Sequence, residues 1–185
     1  MFPTSNGVPY LPDGATGIAM ASPLKQRPAW LQIIIFLTVF WSFQSGYAAL
    51  RDTWVERIII DTCTVQPAAA VIKLITPGVL VEASGTRLKA PGGGVNIRNG
   101  CEGTEVLFLL YAALLSVPLT WRAHLTGAAF GTLLVFVLNQ GRIVTLFYAS
   151  RADAGLFNIL HGTVAPLVLI ALTALYFLYW LRRTA

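Results

Sequence analysis

The sequence predicts an all-α membrane protein, a bundle of about four transmembrane helices. An extracytoplasmic loop is expected to contain an interfacial amphipathic helix and a short β-hairpin. Hydrophobic residues make up 56% of the 185 residues and charged residues only 11%, whereas soluble domains carry about 25% charge. The mean hydropathy is +0.67, and four apolar stretches are long enough to cross a hydrocarbon core of about 30 Å. These observations exclude soluble, disordered and collagen-like proteins.

The four predicted spans each contain at most one formally charged residue. They cover residues 29–50, 104–121, 124–150 and 157–181. Residues 1–28 are polar and interrupted by Pro and Gly, which predicts a disordered cytoplasmic leader. The first span is too long for a cleavable signal peptide. Residues 51–103 therefore form an extracytoplasmic loop, and residues 104–185 form a bundle of three further helices with a short cytoplasmic tail.

The Lys and Arg residues near the span ends predict the orientation. Four spans bring five such residues to one side of the membrane, and short cytoplasmic flanks are enriched in these residue types. The five are Lys25, Arg27, Arg122, Arg182 and Arg183. Both termini are therefore expected in the cytoplasm. The net charge of +5 is not concentrated in any basic run, so no nucleic-acid partner is expected.

The outer loop contains patterns of secondary structure. Apolar residues recur through residues 52–77 with charged residues between them, which predicts one or two helices lying at the membrane interface. The apolar positions are Trp54, Ile58, Ile59, Val65, Val71, Ile72 and Ile75. Residues 79–90 surround Gly85-Thr86 and predict a hairpin. Alternation at residues 95–98 predicts one more short strand.

Three reactive or charged side chains fall in the outer part of the predicted bundle. Cys101 opens the second span, Arg142 lies in the third, and His161 lies near the start of the fourth. At 1.5 Å per residue, Arg142 would lie about 12 Å and His161 about 6 Å below the outer surface. Ionisable side chains inside a membrane are costly and indicate a function by default. We therefore take these three residues as a candidate site.

The three side chains suit acyl transfer by a cysteine nucleophile. A thiol attacks carbonyl groups as the thiolate, and a neighbouring His⁺ or Arg favours that form. His161 can take the thiol proton and later give a proton to a leaving amine. Arg142 keeps its charge and can stabilise a thiolate or an oxyanion. The sequence contains no CxxC and no His/Cys cluster, so we expect no metal and no cofactor.

Structural roles for the same residues are open alternatives. Cys63 and Cys101 both fall in the predicted outer loop, where the compartment permits a disulfide. The chain would then be a non-enzymatic membrane scaffold with a Cys63–Cys101 bridge. The two Cys would also serve a membrane thiol oxidoreductase, although a CxxC is missing. Arg142 would have a structural role if it hydrogen-bonded backbone carbonyls or paired with Glu102 or Glu105. His161 would have one if it only hydrogen-bonded a neighbouring helix.

The order of these residues resembles the exosortase/archaeosortase family of membrane cysteine transpeptidases. The family pattern has a Cys-x-Gly that opens a span, an Asn-x-x-Arg in the next span and a His early in the following one. This chain carries the three parts in that order, as Cys101-Glu102-Gly103, Asn139 to Arg142, and His161. The resemblance covers roughly residues 75–181. The compact length is similar to small variants such as exosortase H.

The resemblance implies a role for each matching residue. Cys101 would be the nucleophile, Arg142 would stabilise charge, and His161 would be the acid/base. Three supporting residues complete the motifs: Asn139, Gly103 and Glu102. Members of the family often have Ser after the Cys, and Glu102 departs from that pattern. A carboxylate there would oppose thiolate formation unless an Arg compensates.

The resemblance also implies a substrate and a location. Such enzymes act on secreted proteins that end in a short recognition motif, a transmembrane helix and a basic tail. The Cys cleaves near the motif through a thioester, which water or an amine-bearing acceptor then resolves. A glycan or a lipid would carry the acceptor, and membrane lipid surrounds the enzyme. The expected location is the bacterial inner membrane, with the active site facing the periplasm.

Overall fold

The computed structural model describes residues 27–97 and 100–184. Within these ranges the chain forms five helices and one antiparallel sheet of three strands. The helices are α1 (Ala29–Ala49), α2 (Trp54–Ile75), α3 (Thr104–Ser116), α4 (Trp121–Ala152) and α5 (Ala154–Thr184). The strands are β1 (Glu82–Ser84), β2 (Arg87–Ala90) and β3 (Gly93–Asn96). Residues 1–26 of the leader predicted at residues 1–28 lie outside the described residues.

Four of these helices, α1, α2, α4 and α5, are long and apolar enough to cross a membrane. Helices of the length and apolar character that the composition predicts are therefore present, and they indicate a membrane protein. Three of the four coincide with the spans predicted at 29–50, 124–150 and 157–181, with ends that differ by no more than three residues. The predicted β-hairpin is accompanied by a further strand, which makes the sheet.

The second predicted span, residues 104–121, is wrong in its length. Helix α3 has 13 residues and measures about 20 Å, less than a hydrocarbon core of about 30 Å. It ends because Pro118 disfavours the helical conformation at the residue before it, and Val117 is extended with φ −92° and ψ 140°. Trp121 instead begins α4, where the hydroxyl of Thr120 caps the helix.

Helix α2 differs from its prediction in which side chains it buries. Its 22 residues also make it long and apolar enough to cross a membrane. The central residues Ile58–Val65 form π-helical turns, which rotate the following side chains relative to a regular helix. The buried apolar residues are Ile60, Val65, Ala68, Ala69 and Ile72. Four members of the predicted apolar face remain exposed: Trp54, Ile58, Val71 and Ile75.

The predicted hairpin at residues 79–90 is present in the sheet. Strands β1 and β2 pair antiparallel, with Ser84 opposite Arg87, so the turn falls on the predicted residues Gly85-Thr86. The left-handed conformation that this turn needs comes from glycine, since Gly85 has φ +55°.

The strand predicted at residues 95–98 begins two positions earlier than expected. Strand β3 pairs with β2 from Gly93 opposite Ala90. The earlier start follows from the two-residue turn at Pro91-Gly92, in which the proline presets its own φ and the glycine has φ +87°. Arg98, the last residue of the predicted strand, lies outside the described residues.

Helix α4 takes part in both hydrophobic clusters that the described residues form. Its C-terminal part contributes Ile143 and Phe147 to a cluster with α2 and the sheet. Its N-terminal part contributes Val135 to a cluster with Leu110 of α3 and Leu169 of α5. The stretch of α4 between these clusters contains the Asn-x-x-Arg motif, so packing on both sides holds that motif in place.

Candidate active site

The loop that precedes α3 brings Cys101 against α4. Gly103, the N-cap of α3, has a left-handed backbone with φ +83°. A Cβ atom at this position would lie 3.0 Å from Cγ of Asn139 on α4. Glycine therefore satisfies both the backbone conformation and the close approach of loop and helix. This explains in physical terms why the motif has a glycine two residues after the cysteine.

Asn139 and Arg142 hold this loop from one face of α4. The Asn139 side chain is only 2% exposed, and its Nδ2 donates to the Cys101 carbonyl at 3.1 Å. Arg142 Nη1 donates to the carbonyl of Gly100 at 3.5 Å. Two consecutive carbonyls of the loop thus accept hydrogen bonds from residues three positions apart, which share a helix face.

The Cys101 thiol lies against both Arg142 and His161. Its Sγ is 3.9 Å from Arg142 Nη2 and 3.8 Å from His161 Nδ1. The three residues come from the loop before α3, from α4 and from α5. The structure therefore brings together the three side chains that the sequence singles out.

The ring of His161 is held by its own helix. His161 lies in the π-helical segment Leu160–Val164 of α5, and such turns inside α-helices occur frequently at functional sites. Its ring stacks on Phe157 with centroids 5.4 Å apart and planes 4° from parallel. The stacking restricts the plane of the imidazole, and in this plane Nδ1 faces the sulfur.

A thiol between a guanidinium and an imidazole can act as a nucleophile. The guanidinium is always charged and stabilises a thiolate beside it. The imidazole nitrogen that faces the sulfur can accept the thiol proton when it is the unprotonated one. Among residues 27–97 and 100–184, no group of three or more His, Cys, Asp and Glu side chains could hold a metal ion.

Glu102 belongs to a different set of contacts from the thiol. The side chain is 8% exposed, and its Oε1 accepts hydrogen bonds from Tyr47 at 3.1 Å and from Thr104 at 3.2 Å. The guanidinium of Arg142 instead contacts the Gly100 carbonyl and the Cys101 sulfur. Among the described residues, Arg142 therefore does not pair with Glu102 or Glu105.

Two residues of this region, Gln140 and Tyr47, were not predicted from the sequence. Gln140 is 8% exposed, and its Nε2 donates to the Cys63 carbonyl at 3.4 Å. The sequence does indicate a role for Gln140, because the adjacent amides of Asn139 and Gln140 lie inside an apolar span and require hydrogen-bond partners. Tyr47 gave no such signal, since tyrosine is common near membrane interfaces.

The second cysteine lies on α2 and is exposed. Cys63 and Cys101 are both thiols in this structure rather than a disulfide pair. The backbone carbonyl of Cys63 accepts a hydrogen bond from Gln140 of α4.

Neither a protein-family model, a curated protein nor a solved structure matches the chain. The geometry of the site and the resemblance of its motifs are therefore the two features that point to a function.

Proposed function

We propose that this chain is an integral-membrane cysteine protease or transpeptidase of the exosortase type. The observation that carries the proposal is one sulfur atom, Sγ of Cys101, with Arg142 and His161 each within 3.9 Å of it. These residues are far apart in sequence and come from separate elements. The order of the motifs, which resembles that of the family, supports the same three residues.

In the proposed reaction, His161 takes the proton of Cys101 and the thiolate attacks a peptide carbonyl of the substrate. Arg142 stabilises the thiolate and then the oxyanion of the tetrahedral intermediate. The intermediate collapses to a thioester, and the amine leaves with a proton returned by His161. Water or an acceptor amine next attacks the thioester and gives its proton to His161. The cysteine then leaves as a thiolate and recovers the proton.

Asn139 and Gly103 are positioning residues in this proposal. Asn139 holds the Cys101 carbonyl, which fixes the direction of the nucleophile relative to α4. Gly103 permits the close approach that this hydrogen bond requires. Catalytic groups must be held close to their productive geometry, so these contacts are expected to affect rate more than substrate affinity.

The length of α4 supports a site near the outer boundary of the membrane. Its 32 residues extend about 48 Å, well beyond a hydrocarbon core of about 30 Å. With Trp121 at the cytoplasmic boundary, Arg142 lies about 32 Å further along the helix. Arg142 would then lie at about the outer boundary of the hydrocarbon core, whereas the predicted helix end at residue 150 implies a depth of about 12 Å below the outer surface. The C-terminal part of α4 would then carry the sheet and α2 outside the bilayer core.

The proposed substrates are secreted proteins that end in a recognition motif, a transmembrane helix and a basic tail. Their scissile bond would meet Cys101 at the periplasmic face of the bacterial inner membrane. This orientation places both termini of the enzyme in the cytoplasm, and it requires the 13-residue helix α3 to cross the bilayer together with its flanking residues, as the fourth span beside α1, α4 and α5. The released fragment is the helix with its tail, and a glycan or lipid amine is the proposed acceptor when water does not complete the reaction.

A comparison of three strains of the source bacterium tests the proposal. One encodes the wild-type protein, one Cys101→Ala, and one Cys63→Ala as the matched control, because the chain has only two Cys. Mass spectrometry of the C-terminal peptides of exported proteins is the measurement. Sorting signals should be absent in wild type and Cys63→Ala and retained in Cys101→Ala.

Unchanged processing in the Cys101→Ala strain would overturn the proposal. Immunoblots of the membrane fraction establish that the variants accumulate equally. Should Cys101→Ala accumulate poorly, Cys101→Ser provides a second variant, because a hydroxyl preserves the size of the side chain while being a far weaker nucleophile than a thiol. Equal loss of processing in the two single-cysteine variants would instead favour the disulfide scaffold.

A further inference from the structure

A cavity lies beside the candidate active site. It has a volume of about 580 Å³ and is bordered by α1, α2, α3 and α4. Most of its wall is apolar, with Phe43, Leu107, Val135 and Phe136 among the lining residues. Its polar lining residues include hydroxyl groups such as that of Thr104 and, where the loop before α3 meets α4, three side chains with a carboxyl or amide group: Glu102, Asn139 and Gln140. Neither Cys101 nor His161 is among its lining residues, so this space is distinct from the nucleophile itself.

Each of these three carboxyl or amide side chains has one oxygen without a hydrogen-bond partner among the described residues. The oxygens are Glu102 Oε2, Asn139 Oδ1 and Gln140 Oε1. All three side chains are more than nine-tenths buried. Buried acceptors are nearly always hydrogen-bonded in proteins, so three unpaired ones on one cavity call for an explanation.

The hydrogen bonds of the same side chains fix which amide atom is left without a partner. Asn139 Nδ2 donates to the carbonyl of Cys101, and Gln140 Nε2 donates to the carbonyl of Cys63. A carbonyl can only accept, so exchanging nitrogen and oxygen in either amide would set two acceptors against each other. The two amide oxygens must therefore remain acceptors. The third oxygen belongs to a carboxyl group, which adds negative charge when ionised.

Glu102 lacks a cationic partner in the contacts that are present. Its Oε1 accepts from the hydroxyls of Tyr47 and Thr104, and neither donor carries a charge. A buried carboxylate is costly unless it is paired, and an ionisable group in a membrane region normally has a partner. A positively charged ligand in the cavity would supply that partner.

We propose that this cavity binds a primary ammonium group carried on an apolar chain. A primary ammonium has three N–H donors, which match the three acceptors in number, and its charge complements that of Glu102. The apolar wall would cover the chain. Hard cations such as Mg²⁺ and Ca²⁺ also prefer oxygen ligands but take six or more of them, whereas three unpaired oxygens and a mostly apolar wall are present here, so an organic cation is the better match.

The proposal is independent of catalysis at Cys101, and it is tested on the Cys101→Ala variant of the full chain in lipid nanodiscs. This variant has Cys63 as its only cysteine, and Cys63 lines the cavity. The rate of Cys63 modification by N-ethylmaleimide is measured by mass spectrometry. The probes are n-octylammonium, n-octyltrimethylammonium and n-octanol.

The three probes share a chain and differ in charge and donors. We expect n-octylammonium to slow the modification of Cys63 at least fivefold and in a saturable manner. The trimethyl analogue, which has the charge but no N–H, and the alcohol, which has no charge, should slow it less than twofold. Equal protection by all three probes, or none by n-octylammonium, would overturn the proposal. This probe series needs no substitution in the cavity, so it does not depend on whether a cavity variant folds.

Three substitutions extend the test. Glu102→Gln keeps the shape of the side chain and removes its charge, and it should weaken n-octylammonium protection at least fivefold. Gly46 lines the cavity, and a Cβ atom added to it would meet no other atom within 4 Å, so Gly46→Leu should fill the space and abolish protection. Gly141 is equally unobstructed but lines a different groove. Gly141→Leu is therefore the matched control, and loss of protection there would contradict the assignment.

Discussion

Replacing Arg142 with Lys separates the charge of the guanidinium from its shape. Arginine reaches two partners at once, with Nη1 3.5 Å from the Gly100 carbonyl and Nη2 3.9 Å from the Cys101 sulfur. An ammonium is a compact charge on a flexible stem and lacks the planar fork. Arg142→Lys keeps the positive charge but cannot occupy both positions of the guanidinium.

The expected loss follows from one charge-assisted hydrogen bond to the reacting sulfur. Hydrogen bonds to charged groups contribute about 1.5–3 kcal/mol. Each 1.36 kcal/mol corresponds to tenfold in rate, so the reactivity of Cys101 should fall by about 10-fold to 150-fold. The second contact, to the backbone, adds an effect on loop position that we expect to be smaller, because Asn139 also holds the loop.

The assay is the second-order rate of Cys101 alkylation by iodoacetamide at neutral pH. It is measured in the Cys63→Ala background, so that one thiol reports. Thermal unfolding in detergent establishes that Arg142→Lys is folded. A rate within twofold of the parent protein would refute the reasoning, because a point charge would then serve as well as the fork.

Three further substitutions probe the supporting contacts. Cys63→Ala should leave substrate processing within twofold of wild type, measured by the fraction of precursor cleaved, whereas a disulfide scaffold or a redox pair requires both cysteines equally. Gly103→Ala should lower the stability by at least about 1–2 kcal/mol, since alanine is strained at φ +83°. An unchanged unfolding temperature would show that the loop adapts. Tyr47→Phe removes a donor to buried Glu102 and should cost about 1–3 kcal/mol. Equal denaturation curves for Tyr47→Phe and wild type would contradict the importance of this contact.

The long helices could be predicted because uninterrupted apolar runs have few other structures available in a bilayer. The end of α3 was also encoded locally, by Pro118, but the apolar run continues through the proline and masks it. The buried face of α2 could not be predicted in this way. Its π-helical turns at Ile58–Val65 change the angular order of the side chains, and a pattern based on 3.6 residues per turn does not detect them.

The three central residues of the candidate site could be predicted from the sequence, but the contacts around them could not. Cys101, Arg142 and His161 stand out because reactive or charged groups are rare in apolar spans. The contact between Tyr47 and Glu102 joins residues 55 positions apart and arises from the packing of α1 beside α3. No local pattern specifies such a contact. The same holds for the three unpaired oxygens, which become visible only when the partners of every other polar atom are known.

Helix α4 acts as a molecular ruler between its first residue and the site. Asn139 and Arg142 must both face the loop before α3, and their direction depends on the number of residues after Trp121. One inserted residue in that interval would turn both side chains by about 100° and raise them by about 1.5 Å. Seven inserted residues would restore their direction to within about 20° but lift the site by about 10 Å. Insertions and deletions in this half of α4 should therefore be tolerated, if at all, in steps of whole heptads, and each step would move the height at which a substrate is met.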